Sequence, residues 1–591
     1  MKKRLINHVI AIIGIAVLAS CATGKVTITD IPREHIGKRI ELYVDKSHTT
    51  MSIRDSNFDI MFLTNDPHYP GNSTLDVKII FDGTTYIVRS VKFENNTAVV
   101  RWNRLTNNPP LAQAAPSPAP APSPVQTAPA PSPAQAAPAP DIPAAQGNNL
   151  TEKLDWLRVF AQSNNSYLIE VNADERIPAQ TLEFSGKRNI TLTLWGRGAN
   201  RTLNNNFTVG SGVTLILDNN ITIRGARVNV NSGGTLIMNN GSTITGNNSG
   251  SGVYVNGGTF TMSGGKITDN TRSSSSGSNG GVYVSSGTFT MTGGEITGNS
   301  VRGIYVKGTF AMSGGTISGN TNSNRDGETS YGGGVYVEGT FTMSGGKISG
   351  NTASAGNIST TYAYSSGGGV YVLGTFTMNN GEISGNTVAI NSRDGSRSGG
   401  GVSVYGTFTM NGGTISGNTA REDGGGVYMT SGTFTMSGGT ISGNTASNGG
   451  GVYTWNETAF TMSNGTISGN TANSSGGGVY VFSGSISGNF RRGTFTMSGG
   501  TISGNTAREN GGGIYIPAGG IFTKTGGTIT GYTSDQRNGN AVKNSSGAVQ
   551  NYRGHAVWAG TTETLLKIKE STAGPGDNLA YNSRTNPPTT S

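Results

Sequence analysis

The sequence predicts a mainly β protein whose body is a right-handed parallel β-helix, and three observations carry that prediction. One phrase, GTFTMSGGTISGNTA at 432–446, returns in close or looser form about ten times between Gly234 and Thr530. Each phenylalanine of the phrase is followed seven residues later by an isoleucine, from Phe260 and Ile267 to Phe522 and Ile529. The chain of 591 residues holds 92 glycines, is 34% hydrophobic and only 13% charged. That is too little apolar material for a packed globule of this length, but it suits a thin, repetitive core.

Each turn of about 21–35 residues carries three short strands, as VYM, TFTM and TIS do within 427–442. Unit length runs from 21 residues (Phe289 to Phe310) to 35 (Phe341 to Phe376), while the Phe-to-Ile spacing stays constant. One corner is therefore expected to absorb every insertion. Strand alternation sends Phe and Met of TFTM inward and both threonines outward. Coils stacked at ~4.8 Å then lay like on like, and nine of the 14 methionines fall in a single interior column. The asparagine after each Ile-x-Gly (Asn299, Asn320, Asn351, Asn386, Asn418, Asn444, Asn470 and Asn505, with Asn270 in the matching place) falls at a bend. There, stacked amides satisfy one another from coil to coil. The outward residue before each Ile reads Lys266, Glu295, Thr316, Lys347, Glu382 and then threonine, so neighbouring coils pair Lys with Glu twice.

The chain opens with a basic stretch, MKKRL, and an apolar run, Val9–Leu18, too short to span a bilayer. Leu18-Ala19-Ser20-Cys21 follows and resembles the lipobox of bacterial lipoproteins, which implies cleavage before Cys21 and acylation of that residue. Cys21 is the single cysteine, so a disulfide within the chain is excluded. Several acyl chains anchor a protein firmly. Residues 1–20 are thus read as a lipoprotein signal peptide, and the mature chain as tethered to a membrane of the cell envelope.

Residues 21–106 are poor in glycine and alternate with period two in LDVKIIF, YIVRSVKF and AVVRW, which predicts a small all-β domain. Thirteen of the 21 prolines lie in 107–148, a Pro/Ala-rich linker that favours extended polyproline II. A capping helix is expected over 149–165, with Thr151 as its N-cap and Leu154, Leu157 and Ala161 on one face. The β-helix then occupies 166–555, and 556–591 forms a C-terminal cap or tail.

The units GGGVYV (332–337) and IxxN (317–320) resemble the GGA(I/L/V) and FxxN repeats of chlamydial-type polymorphic outer-membrane proteins. They are also similar to repeat-rich surface lipoproteins of spirochaetes. The chain differs from the chlamydial pattern in placing Ile before xxN. Its final residues, 532–591, are too few for a translocating β-barrel. The resemblance implies a surface-exposed protein on the outer membrane or cell surface that serves adhesion.

The formal net charge is +9, but the basic residues are scattered, which argues against nucleic acid as a partner. Histidine is absent from residues 69–554, so neither Ser-His-Asp chemistry nor a His-ligated metal is expected in the solenoid, and no cofactor is implied. The carboxylates of the repeats sit at corners, as in Arg325-Asp326, Arg393-Asp394 and Arg421-Glu422-Asp423. The leading expectation is a non-catalytic display of the β-helix for adhesion or ligand binding, with a host or cell-surface protein or glycan as partner. The alternative is a glycan-active lyase or hydrolase using Asp326 or Asp394. A self-assembling surface-layer component is a third reading, if the solenoid ends expose their strands.

Two surfaces are candidates for binding. The middle residues of VYV form an outward aromatic ladder of Tyr254, Tyr283, Tyr305, Tyr336, Tyr371, Tyr428, Tyr453, Tyr480 and Tyr515, broken by Ser403. Such a ladder either meets sugar rings or a partner protein, or stacks on itself to stabilise a flat sheet. The longest corner insertions, 321–334, 352–369 and 387–401, come from consecutive turns and carry Tyr331, Tyr362, Tyr364, Arg325, Arg393 and Arg397. Loops clustered on one edge of a solenoid are commonly its binding face.

Overall fold

The computed structural model describes seven strand segments between 22 and 101 and then, from 143, most of the chain to 582. The described stretches are 143–271, 280–324, 329–355, 364–390, 397–455, 457–486, 489–517, 519–551, 553–560, 565–569, 571–574 and 579–582. Cys21, the signal segment and nearly all of the linker lie outside them. The chain divides into two units, Met1–Gln135 and Ala136–Ser591.

In the first unit Ala22–Thr29 pairs antiparallel with Phe58–Thr64 and parallel with Thr97–Arg101. Arg39–Val44, Ser47–Ser52, Thr74–Phe81 and Thr84–Lys92 form an antiparallel four-stranded sheet. The alternating runs read from the sequence supply these strands, and Val77 and Ile79 are buried.

The second unit begins with helix α1 (Leu150–Phe160). Its N-cap is Asn149 rather than Thr151: the Asn149 side chain accepts from the Glu152 N–H. The Glu152 carboxylate in turn accepts from the Asn148 N–H and the Asn149 amide, a reciprocal cap that sets the start two residues earlier than expected. Leu150, Leu154, Leu157 and Ala161 are buried in the same core cluster as the first coil, so the helix closes the end of the hydrophobic interior.

The body is a parallel β-helix. Phe260 lies opposite Phe289, Phe289 opposite Phe310, and the pairing continues in register to Phe522. The rings stack at 4.5–5.1 Å and are fully buried. Met238 precedes the nine predicted methionines in their column. Lys524 closes that column; its buried ammonium donates to the Gly574 carbonyl, on the segment that follows the last coil. The VYV and TFTM faces merge into one 28-stranded sheet, and the TIS strands form a sheet of 13. On that outer face Lys266 pairs with Glu295 and Lys347 with Glu382, both at 2.9 Å. These exposed pairs set no more than a few tenths of a kcal/mol, roughly, and serve register more than stability.

At the bend, each asparagine amide donates to the next asparagine oxygen at 2.7–3.0 Å in an unbroken series from Asn270 to Asn540. From Asn299 onward the same nitrogen also donates to an isoleucine carbonyl of an earlier coil, as Asn418 does to Ile383. Each oxygen accepts a second bond from a backbone N–H, as Asn418 does from Asn386. All the donors and acceptors of a buried amide are therefore used. The third glycine of each GGG packs against this ladder. A Cβ at Gly369 would lie 2.6 Å from the Gly401 carbonyl and 3.0 Å from the Asn386 amide nitrogen, so only hydrogen fits.

Two expectations need correction. The unit has a fourth ladder beyond the three predicted: Thr321–Asn324, Thr352–Ala355 and Thr387–Ile390 pair in parallel, and Thr445–Ala446, Thr471–Ala472, Thr506–Ala507 and Ala541–Val542 do likewise. Its alanines turn inward; Ala472, Ala507 and Val542 make a satellite core. Strands of two to four small residues carry too little pattern to be read from sequence. Insertions also enter a second corner, since an antiparallel hairpin, Ser483–Ile486 with Asn489–Arg492, interrupts the path from Val479–Val481 to Thr494–Met497. Only the TFTM-to-TIS corner is invariant, because the Phe, Met and Ile columns meet there.

The last coil is covered by reversal of direction. Leu565–Lys569 pairs antiparallel with Val557–Gly560, Leu579–Asn582 with Ile521–Lys524, and Ala573 bridges to Ile529. The reversing strands thus cover the edges of Val557–Gly560 and Ile521–Lys524, and α1 packs on the core at the other end.

Replacing Asn418 with Ala should strip hydrogen bonds from buried groups of three coils and destabilise the solenoid by about 3 kcal/mol. Thr409→Ala, on the outward face of TFTM, should change stability by no more than about 0.5 kcal/mol. Urea unfolding of the full chain followed by circular dichroism checks both.

Candidate ligand-binding face

The VYV tyrosines do fall in file, each opposite its neighbour one coil on. Their inward companions, the valines and Ile304, are fully buried, so the tyrosines point away from the core. Pointing outward does not leave them open. Neighbouring rings sit 4.8–5.5 Å apart, and Tyr515 continues onto Trp558 at 4.6 Å. Coil spacing and ring-stacking spacing coincide, so several rings stack face to face, while Tyr305 and Tyr336 meet edge to face at 89° and Tyr480 and Tyr515 are tilted by 48°. Tyr305, Tyr371 and Tyr453 are 3–4% exposed, and the others are half-buried. Burial pushes the phenols of Tyr336, Tyr371, Tyr428 and Tyr480 far above their ordinary range, so they remain neutral hydrogen-bonding groups.

Side chains that the repeat does not announce complete the face. Arg302 lies over the rings of both Tyr305 (5.2 Å) and Tyr336 (4.9 Å), and Arg227 over Tyr254. Glu338 accepts from the Tyr305 hydroxyl and pairs with Lys307 at 3.3 Å. Ser403 breaks the file in sequence only. It is fully buried, its hydroxyl accepts from Ser366 at 2.7 Å, and Tyr405 stands in for the missing ring, 5.4 Å from Tyr371. The residue directly after the VxV strand forms a separate corner file, in which Tyr405, Trp455 and Phe482 are aromatic. An aromatic one residue past a repeated strand is the sequence signal of this file.

Of the insertion residues, Tyr331 and Tyr364 come to this face. Tyr331, on the short strand Ser330–Tyr331, stacks on Tyr371 at 4.4 Å. Tyr364 is 47% exposed and Leu373 40% exposed. Together with Tyr336 and Tyr405 they make an aromatic patch where the three longest insertions leave the solenoid. Arg397 lies in Arg397–Ser398, paired in parallel with Ser365–Ser366. Arg325, Tyr362 and Arg393 are outside the described residues, as are Asp326 and Asp394 of the enzymatic reading.

Among the described residues no group of three or more His, Cys, Asp or Glu side chains is placed to hold a metal ion. His555 is buried, and its Nδ1 accepts from the Val542 N–H, a structural use. The carboxylate that stands out is Asp423, at the turn before Gly424. Desolvation pushes its carboxyl up from 3.8 to about 7, with a further push from Glu422, against the Asn448 amide, which donates to it at 3.1 Å. Against known proteins, the chain matches no family model, no curated protein and no solved structure.

The raised carboxyl of Asp423 has a signed consequence. The folded chain holds that proton more tightly than the unfolded chain, so its stabilising contribution is complete below about pH 4 and is lost as pH rises through about 7. Asp423→Asn should flatten the fall in thermal midpoint between about pH 5 and 8, measured by circular dichroism.

Proposed function

We propose that this chain is a lipid-anchored cell-envelope protein that displays a non-catalytic β-helix for adhesion or ligand binding. The observation that carries the reading is the patch of Tyr331, Tyr336, Tyr364, Tyr371, Tyr405 and Leu373 at the root of the three longest insertions. Tyrosine supplies large contact area with little entropy to lose and a hydroxyl at the rim, the composition favoured at recognition surfaces. Much of the remaining repeat surface is Thr, Ser and Gly with a few Lys–Glu pairs, and the patch differs from it in its aromatic content. The lipobox-like LASC supplies the tether, and the resemblance to surface lipoproteins supplies the setting.

A glycan-active enzyme remains the second reading, supported by Asp423, a carboxyl titrating near neutrality at a solenoid corner beside tyrosines. Release of reducing or unsaturated sugars from polysaccharides by the full chain, lost in Asp423→Asn, would favour it over adhesion.

Cys21→Ala should move the protein from the membrane to the soluble fraction on cell fractionation. In whole-cell binding assays, Tyr364→Ser combined with Leu373→Ser should weaken attachment about tenfold with the thermal midpoint unchanged. Full attachment by the double variant would remove the patch from the interaction.

A further inference from the structure

Tyrosines fill the outward file of the VYV face, and Lys266, Glu295, Lys347 and Glu382 put charge on the TIS face. The TFTM face differs from both. Its outward residues form two parallel ranks, in which Thr375 lies between Thr340 and Thr407, and Thr377 between Thr342 and Thr409. The first rank is threonine at every coil from Thr259 to Thr433, and the second from Thr342 to Thr523. Between Thr259 and Thr523 the exceptions are Ala311, Ala459 and Ile521, so neither rank carries a charge. The first rank is exposed, apart from half-buried Thr288 and Thr494.

Three properties make this a two-dimensional lattice of hydroxyl and methyl groups. It is periodic in both directions, since coils repeat at ~4.8 Å and outward neighbours along a strand at ~6.7 Å. It is flat. The Phe rings beneath it, from Phe260 to Phe495, stack at 4.5–4.9 Å with only 5–11° between planes. Successive coils therefore hardly rotate, although sheets ordinarily twist. Its hydroxyls are also uncommitted: among the described residues, no hydrogen bond joins them to another protein group. At the bend that follows, by contrast, the Asn411 amide donates to Asn379 at 2.8 Å and the Ser437 hydroxyl to Asn411 at 2.7 Å. Threonine is stiff about its first side-chain torsion, so the positions of these groups are largely set before any ligand arrives. The three long insertions leave at the corner before VYV, away from both borders of this face. The hairpin of Ser483–Ile486 and Asn489–Arg492 adjoins it at one coil.

We infer that the TFTM face binds the surface of ice. A flat, uncharged lattice calls for a partner that is itself flat, uncharged and periodic. On the prism faces of hexagonal ice, oxygen positions repeat in two perpendicular directions at close to the two distances of this array. Water held between the ranks by hydroxyls, and seated around the methyls, continues into such a crystal with little rearrangement. A rigid face also has little order left to lose on binding. Other ligand classes lack a foothold here. A sugar ring finds no aromatic platform, an anionic polymer finds no cation, and a peptide finds no open strand edge, because these strands are paired on both sides. The inference stands apart from the adhesion reading, whose patch belongs to the VYV face and the insertions.

The test grows ice slowly from a solution of the full chain and measures the protein taken into the crystal against that left in solution. The gap between melting and freezing points is read on the same samples. The parent chain should enter the ice, shape the crystals into facets and open that gap. Thr375→Lys, which projects a long charged side chain from the middle of the array, should be excluded from ice and close the gap. Thr375→Ala combined with Thr407→Ala, a change the ranks already accommodate at Ala311 and Ala459, should lower both readings with the thermal midpoint unchanged. Thr466→Lys, outward on the TIS face, should match the parent. Exclusion of the parent chain from ice overturns the inference, whether or not it sediments with crystalline cellulose or chitin instead. So does parental uptake by both TFTM-face variants, or an equal loss in Thr466→Lys.

Discussion

Asparagine side chains at one bend hold the coils of this protein in register, and that register decides almost everything else. A buried amide has two donors and two acceptor positions, and here each is met by an identical residue, a backbone N–H or an isoleucine carbonyl of a neighbouring coil. A slip of one residue along a coil would leave several of them unanswered in a dry corner, at a cost of about 1–3 kcal/mol each. The same slip would turn every Phe and Met of TFTM to solvent. Hydrogen bonding and burial thus select a single alignment for independent reasons.

Register explains why like meets like, and why variation is confined. Phe, Met and Ile columns converge across the TFTM-to-TIS corner, so the seven-residue spacing tolerates no change. Elsewhere the chain bulges outward without disturbing those columns: after the Thr-Ala strand for the three long insertions, and between VYV and TFTM for the hairpin at 483–492. The glycine triplet that separates the first of these corners from the next coil is dictated by the ladder beside it, which leaves no room for a Cβ. Function can accumulate in the loops because the fold does not depend on their length.

The outer face obeys the same geometry with a different result. Coils at strand spacing bring the outward tyrosines into ring-to-ring contact, stacked, tilted or edge to face, and that contact buries much of the candidate binding ladder. The file is interrupted and widened at Tyr331 and Tyr405 around Ser403, where the proposed recognition patch lies. A repetitive surface acquires specificity through its exceptions.

The invariant Phe-to-Ile spacing, the alternation of TFTM and the Lys-to-Glu sequence before each Ile determined the parallel stack, its inward columns and its outer ion pairs, because all three follow from periods that a sequence displays directly. The asparagine ladder was equally legible, since one amide per coil at a fixed offset has only its own copies to bond. The tertiary structure alone decided the rest. Strands of two to four small residues at the fourth ladder hold too little alternation to read, and Asn149 rather than Thr151 caps α1 because its side chain reaches the Glu152 N–H. Whether the tyrosines lie open or stack, and whether Tyr405 fills the place of Ser403, depends on side chains from successive coils meeting in space. No period within one coil encodes that meeting, so only the assembled solenoid could settle it.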